Sequence, residues 1–205
     1  MMAFLQSIQD SGLATWFRET ESIWGEDFNL VMHALGMSFL VGLNMAINLR
    51  ILGVARRLPL APMEKFYPLM YTAFCLNLAS GILLLIAYPI KAFIDPGFYI
   101  KMAGVALGMV VLVRIRRRVF GNPAYSDTRP VPMDGKILAA TSIFLWAVTV
   151  TAGRVMAYSD VTGAQRGTTI AVIITYVLIL VLLAIGSRLM GALGWSWDKP
   201  VRQDA

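Results

Sequence analysis

The chain has 205 residues, 58% of them hydrophobic and 15% charged, with a formal net charge of +6 and a mean hydropathy of +0.66. Soluble domains carry nearer a quarter charged residues, so the composition excludes an ordinary water-soluble fold. The apolar runs are continuous rather than alternating, which excludes a transmembrane barrel.

Residues 3–24 place Phe4, Leu5, Ile8, Leu13, Trp16, Phe17, Ile23 and Trp24 among Gln, Ser, Asp, Arg and Glu. The apolar positions cover a broad, incomplete helical face. That pattern predicts an amphipathic helix lying in the membrane interface, or one docked on another protein. The N-terminus has neither a basic n-region nor a small-residue cleavage site, so residues 1–27 are expected to stay in the mature chain as a segment on the outer side.

Five apolar runs follow, each near the length of about 20 residues that crosses a bilayer core. They lie at about 28–49, 66–88, 97–113, 136–158 and 168–192. With no water in the core, each must be a helix that satisfies its own backbone. Pro59, Pro62 and Pro68 turn the first connection, Asp95-Pro96-Gly97 breaks the chain before the third run, and Asn122-Pro123, Pro130 and Pro132 punctuate the longest loop, 114–135. The expected fold is therefore all-α: an integral membrane bundle of five transmembrane helices over 28–192, with the N-terminal interfacial helix before it and a cytoplasmic tail at 193–205.

Lys and Arg set the orientation. Arg50, Arg56, Arg57 and Lys65 follow the first run, and Arg114, Arg116, Arg117, Arg118, Arg129 and Lys136 follow the third. The opposite side has Lys91, Lys101 and Arg166. The N-terminus is expected outside and the C-terminus in the cytoplasm, in the inner membrane of a bacterium. The arginine cluster directly follows an apolar run, where topology-setting charges sit, so the net charge implies no nucleic-acid partner.

No Asp or Glu falls within the five runs. This weakens a carboxylate proton relay or a cation-coupled transporter, which need a buried acid. The polar groups that do fall there gather towards the outer side: His33 in the first run, Lys101 entering the third, Arg154 and Tyr158 closing the fourth, Tyr176 in the fifth. His33, Met37, Leu40, Asn44 and Asn48 recur at spacings of three or four and share one helix face, which is expected to point into the bundle because Asn is unsatisfied in lipid. Asn77, Ser80 and Gly81 mark the second run, and Gly104 and Gly108 form a small-xxx-small pair in the third.

His33 is the only histidine. A neutral imidazole can ligate haem iron or copper, with Met37 one turn away as a second ligand for a small metal. It can equally be a hydrogen-bonding group between helices. Haem b held by two histidines of one chain is excluded. Lys101 and Arg154 either snorkel to headgroups or hold an anion such as a haem propionate. Cys75, the single cysteine, offers no disulfide or zinc spacing, and no phosphate loop or nucleophile–base pair appears.

His33-Ala34-Leu35-Gly36, then Leu40-Val41-Gly42 and Leu49-Arg50-Ile51-Leu52-Gly53, resemble the first-helix signature of a bacterial membrane-protein family of unknown function. Ser80-Gly81, Phe98-Tyr99-Ile100-Lys101 and Gly153-Arg154 with Ala157-Tyr158 continue the resemblance over roughly 28–158. The chain is more distantly similar to the copper-resistance D type of inner-membrane protein, which also has an early-helix histidine. The resemblance implies that His33, Arg50, Lys101 and Arg154 stand at motif positions. Unlike the copper-handling proteins, this chain has no His-rich or Met-rich run outside the membrane. The expectation is a small membrane subunit binding haem or a metal in an outer-side pocket at His33, Lys101 and Arg154. The rivals are an accessory or assembly subunit of a larger membrane complex, a homo-oligomer among its forms, and a copper or small-solute transporter.

Overall fold

In the computed structural model the chain is described for residues 1–55, 58–121 and 131–156, and for Ile174, Thr175, Leu178, Ile179 and Leu182. These residues are all-helical in architecture, with helices α1 (Met2–Gln9), α2 (Gly12–Glu19), α3 (Glu26–Leu52), α4 (Tyr67–Ala87), α5 (Pro89–Ile94), α6 (Pro96–Ile115) and α7 (Met133–Met156). A 3-10 turn, Ala61–Phe66, leads into α4, and a π turn, Arg116–Phe120, extends α6.

Among the described residues, four helical stretches are long and apolar enough to cross a membrane: Glu26–Leu52, Ala61–Ala87, Pro96–Phe120 and Met133–Met156. Their outward faces are apolar. Phe28, Val31, Leu35 and Phe39 on α3, Leu69, Leu78 and Ile82 on α4, Leu107 and Val110 on α6, and Phe144 on α7 are all exposed. In water such a surface would aggregate, whereas lipid tails solvate it. The fifth run falls mostly outside the described residues; its five described positions are helical, and Ile174, Leu178 and Leu182, four apart, are exposed on one face. Tyr158, Tyr176 and the tail 193–205 also lie outside the described residues.

Helix ends follow local chemistry. Gly53, at φ 106°, takes the left-handed conformation that ends α3, and the N–H groups of Gly53 and Val54 return to Arg50 and Leu49. This closes the orphan carbonyls of the last turn. Asp95 accepts from the Gly97 N–H at 2.7 Å, so the sharp break before the third run is the N-cap of α6, with Pro96 at its first position. The N-terminal segment is two helices rather than one: Ser11 accepts from Ala14 N and starts α2 afresh. Its charge ties it down, since Arg18 of α2 donates to the carbonyl of Ala87 at 2.7 Å, at the end of α4.

Helix α3 packs between α4 and α7, and α6 packs on α7; α1 and α2 lie against α4, and α1 also against α5. Close approach depends on small residues. A Cβ on Gly36 would sit 2.8 Å from the carbonyl of Ala73 and 2.9 Å from the amide of Asn77, so only glycine admits α4 here. Gly108 receives the face of Trp146 from α7, and Gly104 receives Thr149. The apolar core runs from Leu40, Ile47 and Ile51 through Tyr67 and Met70 to Leu112, Ile115 and Trp146.

Candidate functional site

His33 is the eighth residue of α3, about 10 Å below the helix start at 1.5 Å per residue. It is half-buried, and its ring packs beside Gly81, where a Cβ would come within 3.3 Å of Cε1. Its Nδ1 lies 2.9 Å from the hydroxyl of Ser80 on α4. That hydroxyl also reaches the carbonyls of Leu76 at 2.8 Å and Asn77 at 3.0 Å. A serine has one proton and two lone pairs. With two carbonyls competing for the proton, the hydroxyl oxygen is placed to accept from His33 Nδ1–H, the tautomer that puts the lone pair of the neutral ring on Nε2.

The same contact is locked from both sides. Asn77 Nδ2 donates to the His33 carbonyl at 2.7 Å, and Asn29 Nδ2 donates to the Ser80 carbonyl at 3.0 Å. Asn29 is one turn before His33 and buried. At the end of the bundle nearer His33, Tyr88 donates to Glu26 at 2.5 Å and joins the start of α3 to the end of α4. Burial first, then this hydrogen bond, pushes the Tyr88 phenol up to about 12.

Lys101 enters from α6 and is half-buried. Its aliphatic chain crosses Gly153 of α7: a Cβ there would lie 3.5 Å from Cδ, 3.6 Å from Cε and 3.8 Å from Nζ. His33 near the start of α3 and Lys101 near the start of α6 therefore lie towards the same end of the bundle. Arg154, next in sequence to that glycine, is exposed on α7. Met37, four residues below His33, is half-buried. Among the described residues, no three of His, Cys, Asp and Glu converge on a point that could hold a metal ion. An ion here would draw on one imidazole and thioethers.

The lower half of the His33 face turns inward. Leu40, Asn44 and Asn48 are buried. Asn44 Oδ1 accepts from Asn48 Nδ2 at 2.6 Å and from Ser142 of α7 at 2.8 Å. Trp146 Nε1 and Asn48 Oδ1 are buried without a hydrogen-bond partner among the described residues. Arg50 closes the opposite end, buried, with Nε donating to the Leu58 carbonyl at 2.6 Å.

Sequence reasoning found His33 and Lys101 and singled out Asn77 and Ser80, but not the contacts by which these two hold His33. Asn29 had a signal, its spacing of four from His33. Gly153 as the platform for Lys101, and Glu26 as the partner of Tyr88, had none, because each is a meeting of separate helices.

A protein family described as "Family of unknown function (DUF6644)" matches residues 16–159, which run from the middle of α2 to beyond the end of α7 and include every site residue above. No curated protein and no solved structure matches the chain.

Proposed function

Because the chain belongs to that family of unknown function, its chemistry has to be read from its own residues, and we propose that it is a small membrane subunit binding haem through His33. The observation that carries the reading is the Ser80 contact at 2.9 Å, which holds one ring nitrogen and leaves Nε2 as an unprotonated ligand. Metal-bound histidines almost always donate their other ring nitrogen to a fixed acceptor, which sets the tautomer and the ring plane. Lys101, steadied on Gly153, and Arg154 beside it supply cations for the propionates. Haem would bring one-electron chemistry to this site. The chain's own part is to orient the imidazole, balance the anionic groups and keep the ring in a largely apolar setting. With a single histidine, iron would take one protein imidazole.

Copper bound by His33 and Met37 is the alternative occupant, favoured by the one-turn spacing of the two side chains. The wider setting we propose is a bacterial inner membrane crossed five times, with the arginine-rich ends of α3 and α6 inside and α1–α2 lying in the outer interface. The placement of Lys and Arg supports that orientation.

A second reading, an accessory subunit of a larger complex, is favoured by one observation. Phe4, Leu13, Trp16, Ile23 and Trp24 are exposed on or beside α1 and α2, although the segment is pinned to α4.

The test is the visible absorption spectrum, oxidised and reduced, of protein purified in mild detergent, with metal analysis of the same sample. A Soret band that shifts on reduction and is lost in His33→Ala is the expected result. A colourless sample with stoichiometric copper that is lost in His33→Ala moves the site to copper. A colourless, metal-free sample sinks both and leaves His33 as a helix-to-helix tie.

A further inference from the structure

At the end of the bundle opposite His33, the three arginines that directly follow α6, Arg116, Arg117 and Arg118, are not equivalent. Arg118 pairs with Asp134 at 3.3 Å. Arg116 is held over the ring of Tyr67, 5.5 Å from its centroid, and its Nε reaches Glu64 at 3.4 Å. Arg117 has no acidic partner among the described residues. Together Arg116 and Arg117 line a cleft of about 340 Å³ with Glu64, Tyr71, Val113 and Gly121.

The fold builds this cleft. Helices α4 and α6 are neighbours at this end through the 3-10 turn before α4 and the π turn after α6, which touch each other. The ring of Phe120 packs edge-on against Tyr67. A π turn is rare and tends to occur where function needs it; here it carries Arg116, Arg117 and Phe120. One acid, Glu64, lies among the lining residues, and Arg116 already compensates it. Arg117 is then the net charge of the lining, to which Tyr71 also contributes. The floor towards the bundle is apolar, with Val113 on the lining and Ile115 and Val119 buried behind it.

A cationic fork, a phenol and an apolar floor at the end of a membrane-spanning helix suit a phosphate group attached to an acyl chain. We propose that this cleft binds the phosphodiester headgroup of an anionic phospholipid of the leaflet at the arginine-rich end. Arg117, with Arg116 beside it in the lining, grips the phosphate, and the acyl chains run along the exposed apolar faces of α4 and α6. Glu64 pairs with Arg116 and offsets part of the cationic charge offered to the lipid. The site is independent of the His33 pocket and of any cofactor there.

Native mass spectrometry of the full chain released from mild detergent tests it, with phosphatidylglycerol and phosphatidylcholine of the same acyl chains as probes. Phosphatidylglycerol is expected to remain bound where phosphatidylcholine does not. Arg117 is exposed, so Arg117→Gln leaves the core intact and is expected to weaken phosphatidylglycerol binding roughly tenfold. Arg118→Gln, which removes the same charge outside the cleft, is expected to change it less than about twofold. Glu64→Gln removes the repulsive carboxylate and is expected to tighten binding. Equal retention of the two lipids overturns the proposal, as do equal losses in the two arginine variants or no tightening in Glu64→Gln. Displacement of the lipid by millimolar inorganic phosphate overturns the lipid as the source and assigns the cleft to free phosphate.

Discussion

The hydroxyl of Ser142 on α7 donates to Asn44 Oδ1 on α3 at 2.8 Å, and both residues are buried. This bond fixes the register of the two helices at one point. The same oxygen also accepts from Asn48, so its loss strands two donors. Asn44→Leu is expected to destabilise the bundle by about 1–3 kcal/mol, and Ser142→Ala by about 0.6 kcal/mol. Thermal unfolding in detergent reads both. Losses that simply add in the double variant would mean that the two side chains do not interact.

The contact of Gly36 with the α4 backbone makes a sharper expectation. A methyl group there has to push apart two backbones, because its nearest neighbours are a carbonyl and an amide rather than a flexible side chain. Gly36→Ala is expected to cost about 1–3 kcal/mol. Gly42→Ala on the same helix, where a Cβ meets nothing within 4 Å, is the control and is expected to be neutral. Equal melting temperatures for the two variants would contradict the close approach.

Tyr88 gives a pH dependence with a defined sign. Its phenol is raised from an ordinary value near 10.0 to about 12, so the folded protein favours the protonated form. The stability it contributes is complete below about pH 10. It is lost as pH rises through about 12. Tyr88→Phe is expected to lower stability at neutral pH and to flatten the alkaline decline. Tyrosinate absorbance against pH, together with melting curves of both proteins, checks this. An unchanged alkaline slope in Tyr88→Phe would remove Tyr88 as its source.

Ser80 separates the two roles of His33. In Ser80→Ala the imidazole loses the acceptor that fixes its tautomer. If His33 ligates haem or copper, affinity is expected to fall about 10–100-fold. Titration of haem or of copper into the purified variant measures it. Unaltered affinity, with only a lower melting temperature, would leave the Ser80 contact as a packing bond.

The four described spans were legible because an uncharged apolar run near bilayer length fits little besides a membrane-crossing helix. Their ends were less so. The α3 helix starts at Glu26, inside the acidic stretch before the first run, and continues to Leu52, where Gly53 stops it. The six-residue α5 escaped notice, since so short a helix after Pro89 leaves no periodic signal. The N-terminal segment read as one amphipathic helix because its apolar face continues across the break at Ser11. At the site, rarity exposed His33 and Lys101: a single imidazole and a lysine stand out in apolar runs. Ser80 looked like any small packing residue. Its meaning depends on facing Nδ1 across two helices 47 residues apart in sequence, and spacing along one helix cannot encode that.

The anchoring of α2 by Arg18 to the carbonyl of Ala87 has a consequence for biogenesis. The first two helices leave the ribosome well before α4 and α5, the elements they pack against. Until those later segments are synthesised and inserted, the Phe17 side chain, buried in the finished fold, lacks part of its packing surface. The N-terminal plate therefore settles only after α4 and α5 have followed it, although it is translated before them. A chain truncated before α4 would present it, sticky and unmoored, to the translocation machinery and to chaperones.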